Sequence, residues 1–210
     1  MFKQIPLGPI QTNAYVLYND KKEAVIFDPG GDAEAFIHWI NNEQLNPLAI
    51  LLTHAHFDHI GAVDEVRNAF DIPVYLHTEE HTWLGDPSLN GSSRLTGRAL
   101  TTAKPADYDL EDETELTIGS FTFSLLHTPG HSPGSVSFYY KEEAILFSGD
   151  VLFQQGIGRT DLHGGNHAQL LSSIHHKILP LPEETTVASG HGPLTTIGQE
   201  MDHNPFLTGY

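Results

Sequence analysis

Apolar positions recur along this chain in two rhythms. Short continuous or alternating runs mark strands, and spacing of i, i+3, i+4 and i+7 marks helices. Residues 2–7, 12–19 and 23–28 read as strands, with turn chemistry at Gly8-Pro9 and Asn19-Asp20 between them. Asp28-Pro29-Gly30-Gly31 closes the third. Asp32 is placed to cap a helix that carries Ala33, Phe36, Ile37 and Ile40 on one face. Asn46-Pro47 breaks that pattern ahead of a continuous apolar strand over 48–52. A second helix is expected from Ile60 through Val63, Val66 and Phe70, then a strand over 72–77 and a helical turn or two over 79–84.

Strands resume at 115–118, 121–127, 135–140 and 144–147. Asn166 is placed to cap a helix with Leu170, Leu171, Ile174 and Ile178 on one side, and Pro180 and Pro182 end it. His175 and His176 fall near its C-terminal end, where they suit the helix dipole as surface residues. Residues 185–188 form a last strand. Tyr139 and Tyr140 adjoin on one strand, so one is expected in the core and the other exposed. Strands and helices thus run in two similar successions, one per half. That order predicts two sheets packed together with helices outside.

The periodicity fades between 85 and 110. The stretch holds Arg94, Arg98 and Lys104, three of the ten basic residues. A substrate-covering loop and a mobile, solvated connection are both consistent with such a stretch. The acidic run over 107–115 that closes it reads as a solvated edge.

The densest chemistry sits at the end of the 48–52 strand, in Thr53-His54-Ala55-His56-Phe57-Asp58-His59-Ile60-Gly61. In extended backbone alternate side chains share a face, so His54 and His56 point the same way. Two imidazoles converging at a strand end start a site for zinc or a similar divalent ion. Asp58 and His59 follow where the chain turns toward a helix, which aims them at a different point. Two ions are therefore expected rather than one. Three further strand ends deliver one potential ligand each, flanked by glycine or proline. They are His131 in Pro129-Gly130-His131-Ser132-Pro133, Asp150 in Ser148-Gly149-Asp150, and His191 in Gly190-His191-Gly192-Pro193. Loops held by a rigid sheet are where catalytic groups collect.

Composition narrows the field. At 210 residues one domain covering 1–210 is expected. No apolar run approaches the roughly 20 residues of a bilayer span. The N-terminus lacks the apolar centre of a signal peptide, so a cytoplasmic location is expected. Without cysteine there is no thiol nucleophile and no thiolate ligand. Lys+Arg 10 against Asp+Glu 27 gives a formal charge of −17, which repels nucleic acid and disfavours a nuclease. A small anionic substrate stays open, because bound metal ions would dominate the local field.

Taken together, the T-H-x-H-x-D-H stretch, His131, Asp150 and His191, in this order, resemble the metallo-β-lactamase superfamily. The resemblance implies an αββα sandwich of two mixed sheets with helices outside and a binuclear site at one edge. Carried over by position, His54, His56 and His131 would hold one ion, Asp58, His59 and His191 the other, and Asp150 would bridge them. Zinc is the first expectation, with iron and manganese as alternatives. Within the superfamily the chain is most similar to the type II glyoxalase (hydroxyacylglutathione hydrolase) branch. Gly158-Arg159-Thr160-Asp161 and the opening Pro6-Leu7-Gly8-Pro9-Ile10-Gln11-Thr12-Asn13 carry that likeness. Full-length members add a C-terminal helical extension that grips glutathione, whereas this chain ends soon after His191. His191 is followed by Gly192-Pro193 rather than the acidic-aromatic pair of that branch, so the chain resembles the short, glyoxalase II-like hydrolases.

The implied reaction is hydrolysis of a small-molecule thioester by a metal-activated hydroxide, with Asp58 and Asp150 fixing the reacting centre. A thiolate leaves readily because a thiol's pKa is near 8.5. Asp28 and Ser189 are expected to orient ligand histidines. Arg159 pairs with Asp161 or reaches the substrate, with Arg94 and Arg98 as further substrate contacts. The competing readings are a mononuclear iron persulfide dioxygenase, a lactonase or β-lactamase, and a non-catalytic binding module.

Overall fold

A computed structural model of the chain describes residues 1–94, 99–111 and 115–207. The chain divides into two compact units, one of residues 1–110 with 118–120, the other of 111–117 with 121–210.

The first unit is built on a six-stranded sheet in the order β1-β2-β3-β4-β5-β6. Its strands are β1 (Phe2–Leu7), β2 (Thr12–Tyr18), β3 (Glu23–Phe27), β4 (Asn46–Leu51), β5 (Val74–His77) and β6 (Tyr108–Leu110). The first three pair antiparallel through short turns, and β3 to β6 pair parallel. Parallel neighbours need crossover connections. Helix α1 (Ala33–Asn42) joins β3 to β4, and α2 (Phe57–Ile60) with α3 (Val63–Phe70) joins β4 to β5. Phe36, Ile40, Val63 and Val66 from these helices share one buried cluster with Ala14, Val16, Ile26, Ile50 and Leu52 of the sheet side. Their helical spacing is what the sequence pattern recorded.

Several local expectations are corrected. Asp32 sits at the N-cap position with φ 46° and makes no side-chain cap. Its carboxylate instead accepts from Gly8 N at 2.7 Å, tying the β1–β2 turn to the start of α1. Pro47 lies inside β4, not before it. Ala24 faces Pro47 and Val25 faces Ala49, so the register slips by one and Leu48 is left over as a bulge. A bulge tolerates a residue with no N–H to donate. The helix expected from Ile60 is broken at Gly61-Ala62, where Ala62 N reaches Pro29 O at 2.9 Å. The acidic run over 107–115, by contrast, is a solvated edge as expected where it is described: Asp107, Asp109 and Glu111 are exposed, and Tyr108–Leu110 form the sheet's edge strand, with Tyr108 stacked on Tyr75 at 4.8 Å. Residues 112–114 of that run lie outside the described residues.

The second unit carries a six-stranded sheet in the order β14-β13-β10-β9-β8-β7. The strands are β7 (Glu115–Ile118), β8 (Phe121–His127), β9 (Val136–Tyr140), β10 (Ile145–Gly149), β13 (Thr186–Ser189) and β14 (Thr195–Thr196). A small hairpin, β11 (Leu152–Phe153) with β12 (Gly156–Ile157), follows β10 and was not legible in the sequence. β10 and β13 pair parallel across α4 (His167–Ser173), which continues as a π turn over Ile174–Ile178. Asn166 caps α4 as expected, accepting from Gln169 N at 3.1 Å. Leu170, Ile174 and Ile178 pack with Leu146, Leu152 and Val187, and with Ile197 of a final helix, α5 (Ile197–His203).

Tyr139 and Tyr140 are both buried, at 8% exposure each, against the expectation of one inside and one outside. Tyr139 joins the cluster around Leu146 and Val187, while the Tyr140 ring lies against Phe121 and Phe123. Both faces of β9 are therefore covered.

Candidate metal centre

Ligand candidates in the first unit stand just beyond β4 and on the single turn of α2. Asp28, at the end of β3, holds them from behind. Its backbone is left-handed, at φ 46°. One carboxylate oxygen accepts from Thr53 N at 2.8 Å. The other accepts from Thr53 Oγ1 at 2.6 Å and faces His59 Nδ1 at 2.9 Å. A carboxylate has no proton to give, so His59 Nδ1 is the donor and Nε2 carries the lone pair. Thr53 gives its hydroxyl proton to Asp28, so His54 Nδ1, 3.1 Å from Thr53 Oγ1, is a donor as well. In both histidines the atom left for an ion is Nε2. Thr12 Oγ1 donates to Asp58 Oδ2 at 2.7 Å, and His59 Nε2 stands 3.5 Å from that oxygen. The His54 ring lies 4.8 Å from His56 and 4.1 Å from His59. All four are buried, with His54 and His59 at zero exposure.

Gly30 explains how the chain closes so tightly behind these groups. A Cβ there would lie 1.8 Å from the Asp58 carbonyl oxygen, so only glycine fits.

The second unit presents its candidates in the same manner. His131 Nδ1 lies 2.8 Å from the Arg159 carbonyl oxygen, which can only accept, so Nδ1 is the donor and Nε2 carries the lone pair. His131 Nε2 and His191 Nε2 each stand 3.6 Å from one Asp150 oxygen, Oδ2. That is too long for a hydrogen bond. It suits atoms that would share a divalent ion rather than a proton. Gly158 makes the arrangement feasible, because a Cβ at that position would meet Asp150 O at 1.9 Å and His131 Cβ at 3.1 Å. Ser189 acts on the backbone, donating to the His191 carbonyl oxygen at 2.9 Å. Phe153, on the hairpin, sets its ring edge-on to His191 at 6.1 Å.

Within the first unit His54, His56, Asp58 and His59 gather at the end of β4, and within the second His131 and His191 converge on Asp150. Neutral imidazoles with hard carboxylates suit zinc, iron or manganese, and the Nδ1 anchors of His54, His59 and His131 give the second-layer support that such ligands require. The donor set fits divalent ions.

Arg159 forms a two-point pair with Asp161, at 2.7 and 2.8 Å, and this carboxylate holds the guanidinium charged. Arg94 is exposed in the 3-10 turn Ser92–Arg94. Arg98 lies outside the described residues. His127 is a local hydrogen-bonding residue, facing Pro133 O at 2.8 Å.

Sequence reasoning missed Thr12, Glu80, Trp83 and Asn90. Glu80 and Trp83 lie three apart in the 3-10 helix Thr78–Gly85, where positions at that spacing share a face. That spacing was the available signal. Asn90, fully buried, donates to Trp83 O at 3.1 Å and to Thr101 O at 2.9 Å.

Two mixed sheets with His and Asp delivered from their strand ends define a metal-dependent hydrolase. The chain belongs to the metallo-beta-lactamase superfamily, whose family model matches residues 7–191. It is 39% identical over 203 residues to the hydroxyacylglutathione hydrolase GloC of Haemophilus influenzae, covering 97% of this chain and 96% of that one. The crystal structure of the B3 metallo-beta-lactamase BLEG-1 is 81% identical, with a TM-score of 0.97 and 100% of both chains covered. The di-iron-bound form of TTHA1623 is 43% identical at a TM-score of 0.88, covering 98% of this chain and 100% of that one. The chain is a metallo-hydrolase of this superfamily with its two mixed sheets and outer helices. Among the described residues no helix is long and apolar enough to cross a membrane.

Proposed function

We propose that this chain hydrolyses small thioesters of the S-2-hydroxyacyl-thiol class in the cytoplasm, through two divalent ions held by His54, His56, Asp58, His59, His131, Asp150 and His191. The observation that carries the reading is Asp150 Oδ2 standing 3.6 Å from both His131 Nε2 and His191 Nε2, which supports a carboxylate shared between two ions. Zinc is the expected metal, with iron and manganese also compatible; the di-iron state of TTHA1623 supports a paired site over a single iron.

Bound ions would supply an acidified water and a Lewis acid for the thioester carbonyl. The chain's own contribution is to hold each ligand in one tautomer. Asp28 does so for His59, Thr53 for His54, and the Arg159 carbonyl for His131. Asp58 keeps its orientation through Thr12. No protein group need protonate the leaving thiolate, whose conjugate acid has a pKa near 8.5. Arg159 and Arg94 are the cations proposed to meet an anionic thiol carrier, together with Arg98. The likeness to GloC supports a hydroxyacyl thioester.

The 81% identity to BLEG-1 favours β-lactam hydrolysis as a second reading. A panel of S-lactoyl thioesters on several thiols, with a lactone, a β-lactam and a glutathione persulfide, separates these. Fastest turnover of a lactoyl thioester, abolished in His56→Ala, is expected. Turnover of the β-lactam alone, or oxygen uptake with the persulfide, would contradict the proposal.

A further inference from the structure

The short 3-10 helix Thr78–Gly85 carries a carboxylate where no solvent reaches it. Glu80 is fully buried, and its Oε2 accepts from the backbone N–H of Ala55 at 2.6 Å. Ala55 is the residue between His54 and His56, so this bond fixes the peptide from which both imidazoles project. On the same face of that helix the Trp83 ring lies 5.7 Å from the His56 ring, tilted by 37°. Two residues beyond Ala55, Phe57 N is held as well, by the Asn90 carbonyl oxygen at 3.0 Å. Asn90 in turn ties itself to Trp83 O. Residues 78–90 therefore grip the His54–Phe57 segment at two backbone amides and one ring.

We infer that Glu80 is a positioning residue for the His54–His56 pair, acting through the Ala55 amide, with Trp83 and Asn90 completing the clamp. A buried carboxylate is costly to desolvate, and a polar uncharged residue would satisfy one N–H at lower cost. A charged acceptor makes a shorter and stronger bond than a neutral one, which suits a segment that must hold two ligands in fixed directions.

This inference rests on reading His54 and His56 as metal ligands. It is tested on the full chain carrying Trp39→Phe, which leaves Trp83 as the one remaining tryptophan of two. Zinc alone is titrated into the chelator-stripped protein against a competing chelator, with Trp83 fluorescence as the signal and Ala55 amide hydrogen exchange measured in parallel. Glu80→Ala is expected to weaken uptake of zinc by about 10–100-fold, as loss of outer-layer support does, and to speed exchange at Ala55. Glu80→Gln, which keeps an acceptor oxygen, should recover most of the affinity. Folded Glu80→Ala that binds zinc as the parent does, or Glu80→Gln that falls as far as Glu80→Ala, would overturn the inference. If Glu80→Ala does not fold, Glu80→Asp carries the test: weaker uptake supports the clamp and parent-like uptake overturns it. A parent chain that takes up no zinc would instead fail the metal-site reading itself.

Discussion

His59 Nδ1 and Thr53 Oγ1 both meet one Asp28 carboxylate oxygen, at 2.9 and 2.6 Å. A single side chain thereby sets the tautomer of one candidate ligand and, through Thr53, the ring of His54. Asp28→Ala should lower affinity for the ions by about 10–100-fold. Asp28→Asn should fall between the parent and the alanine variant, because its amide offers one acceptor where the carboxylate offers two. Competition with a chromogenic chelator reads this directly, and parent-like affinity in Asp28→Ala would remove Asp28 from the account.

Gly158 packs against the Asp150 carbonyl and the His131 side chain, where a Cβ has no room. Gly158→Ala is expected to displace the loop after β10, destabilising the fold by about 1–3 kcal/mol and lowering the metal content. Thermal unfolding with metal analysis of the folded fraction checks both. Unchanged metal content would show that this close approach does not set the position of Asp150.

Glu200, nearly fully buried in α5, accepts from Thr195 Oγ1 at 2.6 Å, Gln155 N at 2.7 Å and Asn204 Nδ2 at 2.8 Å. These bonds fasten the last helix to the hairpin that carries Phe153. Glu200→Ala leaves several donors without their partner, a loss of about 3 kcal/mol. A chain of this size should then melt roughly 6–12 °C lower. A smaller fall than 2–3 °C would mean that water replaces the carboxylate.

Burial pushes the Tyr15 phenol well above its ordinary value near 10, with the Asp28 charge adding to it and Asn13 opposing. Below pH 10 the phenol is neutral in the folded and unfolded chains alike, and its contribution to stability is fully present. Between that value and the higher folded one, only the unfolded chain loses the proton. Stability should therefore decline as pH rises above 10. Tyr15→Phe should show a shallower decline in denaturant melts from pH 9 to 11. An identical slope would mean that other groups govern the alkaline limit.

What was legible in the sequence was whatever repeats locally. The alternation in β8, the apolar run of β4 and the apolar face of α1 are properties of adjacent residues, and they emerged with their ends nearly in place. The ligand candidates were legible too, because histidine and aspartate at glycine-flanked strand ends are unusual locally. What stayed hidden depends on distant partners. Asp32 has the chemistry of a cap, but Gly8, 24 residues earlier, takes its carboxylate. Pro47 looks like a break until the bulge opposite Ala24 is seen. Tyr139 and Tyr140 alternate as strand residues should, yet both sides of β9 are covered. Glu80 stands among Thr78, Glu79 and His81, and its three-residue spacing to Trp83 was the one local signal; the fold brings it to Ala55.

Inductively coupled plasma mass spectrometry on the purified chain, set beside His131→Ala and His191→Ala, tests the central claim most directly. The account predicts two divalent ions per parent chain and a clear loss of bound metal in each variant. A parent chain holding no metal, or a single ion that both variants retain, would contradict it.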